Sequence, residues 1–242
     1  MQQNFSDDAL RKFVGCDSDE QAAGTPASRS IWLFGIEHGT YMSRQEVDAE
    51  AQGDAVEDAD DSYSIELQRR WPYNQRAFKL LTAIRGIPVQ NWREFAGENQ
   101  PFVKGSPGYF KGNLYPYACH NTSEWPKAAA DETGFANKLD YQAWCRDRRL
   151  PVIRSWVEEY RPEVFIGVGT GYRNDFAKAV FAEAGQLEVS TVVAAGQERR
   201  LFYRADGDKK LVVVPHFSSA AGLNSDALLQ VTGTFIAKFM HQ

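Results

Sequence analysis

Three short apolar runs constrain this chain more than any other feature: IWLFG at 31–35, EVFIGVG at 163–169 and KLVVVP at 210–215. Each lacks the alternation of a half-exposed strand, so each suits a strand buried on both faces. Strands of that kind belong to parallel sheets covered by helices on both sides. The intervening sequence supplies the helices. YNQRAFKLLTAIRG (73–86) places Ala77, Phe78, Leu80, Leu81 and Ile84 on one face and closes at Gly86. LDYQAWCRDRRLPVIRSWVEEYRP (139–162) has a helical period with a start or kink near Pro151. RNDFAKAVFAEAG (173–185) and DALLQVTGTFIAKFM (226–240) read as two more, and SDDALRKFV (6–14), capped by Ser6, as a first. NLYPYA should end a strand before Pro116, and RRLFYRADGDKKLVVVP (199–215) predicts a hairpin around Asp206 and Gly207.

The expected architecture is a three-layer α/β/α sandwich on a mainly parallel central sheet, one domain over residues 1–242. In such folds a ligand lies beyond the carboxyl ends of the strands. That rule gathers four segments into one crevice: GIEHG (35–39), NLYP (113–116), GVGTG (167–171) and PHFSS (215–219).

Composition agrees with a globular core, at 43% hydrophobic and 13% aromatic residues. No apolar run reaches membrane-spanning length, and MQQNFSDDALRKF has no basic-then-apolar signal pattern. Cys16, Cys119 and Cys145 form neither a metal-ligand spacing nor a disulfide framework, so reduced thiols, no metal and a cytoplasmic setting are expected. The net charge of −5 argues against a nucleic-acid binder, but the acidity is local. Residues 46–61, EVDAEAQGDAVEDADD, hold eight acids and no base; without them 24 acids face 27 bases, a balance of +3. A solvated insertion at about 46–62 is the plain reading, and an acidic flap over a polyanion site the alternative.

Taken singly, the candidate residues have ordinary readings. Glu37 and His38 can be a polar turn, His216 a satisfied histidine at a strand end, and Asn113 a turn former. GVGTG lacks the full dinucleotide-binding spacing and reads better as a tight strand-to-helix turn, although Glu188 lies near where an acidic partner would fall.

Their order is more informative. GIEHG, then WPYNQRAFKLL, GNLYPYAC, RPEVFIGVG and HFSSAAGLN resemble, in sequence, the motifs of the uracil-DNA glycosylase superfamily. There the first motif reads like G-E-A-P-G or G-I-N-P-G and the second like P-F-V-G-R-A-G-K-L-L. A T-N-x-x-x-C-R-P-P segment, a strand like R-P-x-V-I-V-x-L-G and a final H-P-S-x-x-L-N follow. The resemblance runs from about residue 31 to the C-terminal helix. It implies that Glu37 positions water, Tyr73 stacks on an extruded base, Asn113 reads the base edge and His216 faces the base oxygen beside the glycosidic bond. It further implies base contacts for Ile36 and His38, and DNA contacts for Leu223, Ser218, Arg76 and Lys111. Leu223 is either a wedge for the vacated stack or a core residue. Arg69, Arg70, Lys79 and Lys104 would extend a basic rim.

These residue types suit N-glycoside hydrolysis without metal or cofactor. A carboxylate can stabilise a cation-like sugar and orient water, and a histidine can stabilise the departing base anion. An asparagine amide, donor and acceptor together, matches a pyrimidine edge. The implied partner is DNA carrying a deaminated base, which must leave the stack to be reached. The departures are specific: His38 and Phe217 replace the two signature prolines, and the three cysteines do not supply the four ligands of the iron–sulfur cluster found in one branch. They leave two alternatives open. One is a non-catalytic or regulatory module of the same fold that binds a free base, nucleotide or partner protein; the other is a nucleotide enzyme using Gly169 and Gly171.

Overall fold

The computed structural model describes residues 13, 15–39, 64–119 and 121–242. All but Phe13 of the helix expected at 6–14, and all of the acidic insertion at 46–62, lie outside the described residues.

Six strands form one sheet: β1 (Ile31–Glu37), β2 (Tyr109–Tyr115), β3 (Val164–Val168), β4 (Glu188–Ala194), β5 (Gln197–Asp206) and β6 (Lys209–Val214). Their spatial order is β2-β1-β3-β6-β5-β4. The first four in that order are mutually parallel, and β5 and β4 add an antiparallel edge. The helices flanking it are α1 (Pro72–Ile84), α2 (Trp92–Asn99), α3 (Lys127–Thr133), α4 (Lys138–Tyr160), α5 (Arg173–Val180) and α6 (Asp226–Met240).

The alternation of side chains along each buried strand divides the core into two layers. Ile31 and Leu33 of β1, with Val212 and Val214 of β6, face the α1–α6 side. Trp32 and Phe34, with Leu211 and Val213, face the α4–α5 side. Each fully buried large side chain of this kind stabilises the fold by about 1.5–3 kcal/mol. The mixed α/β sandwich with a mainly parallel sheet follows from that two-sided burial. Trp32 keeps its polar edge satisfied by donating Nε1–H to the Ala23 carbonyl at 3.0 Å.

The face expected for α1 is the one buried: Ala77, Phe78, Leu80, Leu81 and Ile84 are all in the core. Pro72 opens the helix at a position where no backbone N–H is needed. Gly86, at φ +76°, lets the chain turn back so that Ile87 N–H reaches the Thr82 carbonyl.

Of the two readings at Pro151 the helix start drops out, and a second helix is shorter than expected. The long helix α4 starts at Lys138, where the Asn137 side chain caps Asp140 N–H at 3.0 Å, and it runs through Pro151 as one element. Helix α5 ends at Val180 instead of continuing to residue 185. Phe181 adopts extended backbone, and the Arg204 guanidinium stacks over its ring at 4.2 Å while bonding the carbonyls of Glu183 and Ala184. Strand β4 carries no apolar run because its outer face is exposed at Val189 and Val193, and it joins β5 through Ala195 and Gly196, both at positive φ.

Candidate functional site at the carboxyl ends of the parallel strands

The site is built around Gly35 of β1, whose register partner in β2 is Asn113. A β-carbon on Gly35 would lie 2.4 Å from Asn113 Oδ1 and 3.5 Å from the Tyr73 hydroxyl, so glycine is what lets these two polar groups meet over the strand. Asn113 is buried and donates from Nδ2 to the Gly15 carbonyl at 3.1 Å. Tyr73 comes from the first turn of α1. Its hydroxyl is buried without a hydrogen-bond partner among the described residues, and burial, then the charge of Asp17, raises its pKa, so it stays a neutral phenol.

His216, two residues past β6, closes the other side, with its ring centroid 5.9 Å from that of Tyr73. Phe217 packs on Tyr73 from below at 5.0 Å. Ser218 N–H donates to His216 Nδ1 at 3.2 Å, which leaves the ring proton on Nε2. Burial, and secondarily the charge of Arg76, hold the imidazole below its ordinary pKa, so it is neutral at pH 7. The loop is drawn tight by Leu223 N–H on the His216 carbonyl at 3.2 Å, and Arg199 Nε holds the Gly222 carbonyl at 2.8 Å.

A polar chain lies under Tyr73. Gln68 Oε1 accepts from Asn74 Nδ2 at 3.1 Å, Asn74 Oδ1 accepts from Lys111 Nζ at 2.9 Å, and Lys111 pairs with Asp17. Lys111 Nζ is 5.3 Å from the Tyr73 ring centroid. Asp17 also faces His38, with Nε2 3.2 Å from its Oδ1. Burial alone would push the Asp17 carboxyl up; Lys111 and then His38 outweigh it and hold it below the usual range.

Glu37 belongs to a different cluster. Lys138 Nζ donates to Oε1 at 3.0 Å and lies 3.0 Å from Oε2. Nζ also donates to the carbonyls of Asn121 and Glu124, at 2.8 and 3.2 Å. Burial pushes the Glu37 carboxyl up to about 7, and the hydrogen bond and charge of Lys138 cancel only part of that rise.

Of the residues singled out in the sequence, Tyr73, Asn113 and His216 come together, and Arg76 stands beside His216. His38 reaches them through Asp17 and Lys111. Three assignments change. Leu223 is fully buried in the core on the α1–α6 side, so of its two readings the structure has the core residue and not an exposed wedge. Lys111 is 8% exposed and committed to Asp17 and Asn74, so it is an internal counter-charge and not a phosphate contact. Ile36 packs against Gly169 in the opposite layer, away from Tyr73. Ser218 is exposed, and its contribution to the site is its backbone N–H. Within the expected basic rim, Lys79 is paired with Asp226 at 2.7 Å and Arg69 with the Arg93 carbonyl.

Sequence reasoning missed Asp17 and Lys138. Nothing in CDSDE marks Asp17 as internal. Lys138 did carry a signal, since a cation in the first turn of a helix opposes the helix dipole and needs another partner.

The GVGTG turn is partly committed to the fold. Gly169 N–H is spent on the Val214 carbonyl at 2.8 Å. The Asp175 carboxylate, bonded by Tyr115 and Arg146, already occupies the first turn of α5. Among the described residues no group of three or more His, Cys, Asp or Glu side chains is placed to hold a metal, and no helix is long and apolar enough to cross a membrane. A cavity of about 160 Å³ lined by Val157, Arg161, Phe165 and Lys210 opens at the amino ends of β3 and β6, the far end of the sheet from this site. Compared with protein-family models and with curated proteins, the chain matches none. Fold and site together define a mixed α/β protein with an aromatic, hydrogen-bonding site at the carboxyl ends of its parallel strands.

Proposed function

We propose that the protein is a DNA glycosylase of the uracil-DNA glycosylase type, hydrolysing the N-glycosidic bond of uracil or a related deaminated base flipped from DNA. The observation that carries this reading is the state of His216: neutral, with Nδ1 held by Ser218 N–H and Nε2–H left to donate, beside the Tyr73 ring. A neutral donor suits a base leaving as an anion, because the hydrogen bond strengthens as charge develops on the base oxygen. Tyr73 would offer the stacking surface, worth about 1–3 kcal/mol per base. Asn113 would read the base edge through its amide.

The test is base release from single- and double-stranded oligonucleotides carrying uracil, hypoxanthine or xanthine, at low and physiological salt. The wild type should release at least one base, and His216→Ala should lower the rate by roughly 10²–10³-fold, the usual effect of removing one such donor. A folded wild type that releases none of them overturns the reading.

A second reading is a non-catalytic module that binds a free base. It is favoured by Lys138, which hydrogen-bonds Oε1 of the carboxylate expected to handle water and lies 3.0 Å from Oε2. It predicts binding of free uracil or hypoxanthine, weakened by Asn113→Ala, with no release from any oligonucleotide.

A further inference from the structure

Two titratable side chains stand at the end of β1, and they face different company. The Glu37 side chain is 4% exposed and lies against Lys138. The His38 side chain is 34% exposed, and Nε2 faces Asp17, which is 6% exposed. Asp17 Oδ1 lies 3.2 Å from Nε2 and makes no hydrogen bond among the described residues, while its second oxygen meets Lys111. Lys111 lies over the Tyr73 ring, and Tyr73 adjoins His216. His38 is therefore linked to the His216 side of the site, and Glu37 to the Lys138 side.

We infer that His38, oriented by Asp17, is the base that takes the proton from the attacking water, in place of Glu37. The assignment rests on the glycosylase reading above. The negative charge of a buried carboxylate 3.2 Å from Nε2 draws the ring proton to that nitrogen, leaving the Nδ1 lone pair as the basic site. Nδ1 carries no hydrogen bond among the described residues. In the reaction the water oxygen bonds to C1′ and the C1′–N bond breaks, its electron pair leaving with the base. The base oxygen is met by His216 Nε2–H. The water proton goes to His38 Nδ1, and Asp17 stabilises the imidazolium until the proton passes through solvent to the departed base. Asp17 is a positioning residue, and Lys111 keeps its charge fixed. Lys138 holds Glu37 by a hydrogen bond to Oε1 and by its charge.

The experiment is single-turnover release of uracil from a single-stranded oligonucleotide by the full chain. The variants are His38→Gln, His38→Gly with and without added imidazole, Asp17→Asn, Glu37→Gln and His216→Ala. The expected result is a loss of about 10²–10⁴-fold in His38→Gln, the range for a general base. Imidazole should restore part of the rate to His38→Gly, which lost packing alone would not allow. Asp17→Asn should lower the saturating single-turnover rate with the half-saturating enzyme concentration unchanged, and Glu37→Gln should lose less than tenfold. Release retained within threefold in His38→Gln but lost in His216→Ala would overturn the assignment and leave the glycosylase reading standing. So would a His38→Gly variant that imidazole does not rescue. A folded wild type that releases nothing overturns both.

Discussion

Lys138 Nζ stands 3.0 Å from each carboxylate oxygen of Glu37, in a pair whose side chains are 7% and 4% exposed. A buried pair of this kind owes more to the penalty for breaking it than to the gain from making it. Lys138→Met should therefore destabilise the protein by about 3–5 kcal/mol, because it strands an unpaired carboxylate. The double variant Glu37→Gln/Lys138→Met should recover most of that loss. Urea unfolding of the two variants beside the wild type decides it, and a double variant no more stable than Lys138→Met would show that the charge is not the cause.

The pH dependence of stability has a sign set by Glu37. Its carboxyl rises from 4.5 to about 7 on folding, so between those values the folded state keeps a proton that the unfolded chain has released. This contribution is complete below about pH 4.5 and is lost as pH rises through about 7. His216 acts oppositely: its lowered pKa costs stability as pH falls below its ordinary 6.5. The stability of wild type relative to Glu37→Gln should thus fall between pH 4.5 and 7 while His216 cancels in the comparison. Denaturant midpoints across that range give the answer, and a flat difference would contradict it.

Gly35→Ala tests the register that creates the site. The added methyl would meet Asn113 Oδ1 at 2.4 Å, so the amide must move. A stability loss of about 1–3 kcal/mol, typical of overpacking, should accompany weaker binding of free uracil. Calorimetric titration of the variant checks it; unchanged binding would place the base elsewhere.

Gly233→Ala pits helix propensity against packing. In an exposed helix the exchange would gain about 1 kcal/mol. Here the new β-carbon would fall 2.4 Å from Ala83 Cβ and 2.9 Å from the Ala83 carbonyl carbon and Ile84 nitrogen, where α6 crosses α1. Backbone atoms cannot swing aside, so a net loss of about 1–3 kcal/mol is expected in thermal unfolding.

The architecture was legible where burial is two-sided. IWLFG and VFIGV contain no polar residue to mislead, and the face of α1 announces itself at Ala77, Phe78 and Leu81. Strand β4 was not legible, because half of it faces solvent and its turn uses Ala195, not the usual asparagine or aspartate. In the site, Tyr73, Asn113 and His216 could be named from motif order. Their setting could not, since pairing of Lys111 with Asp17 and of Lys138 with Glu37 depends on segments about 90 to 100 residues apart meeting in space, and no local pattern records such a meeting.

The place of β1 in the sheet has a kinetic corollary. Its residue Ile31 pairs with Tyr109 on one side and Val164 on the other, the second roughly 130 residues downstream. The β5–β6 hairpin, by contrast, closes within a few residues at Asp206 and Lys209. A chain emerging from the ribosome at about 5–20 residues per second presents IWLFG first and supplies its last neighbour many seconds later. Until β2 emerges this wholly apolar run has open edges on both sides, and until β3 follows it keeps one open edge, and it is there that a chaperone has something to hold.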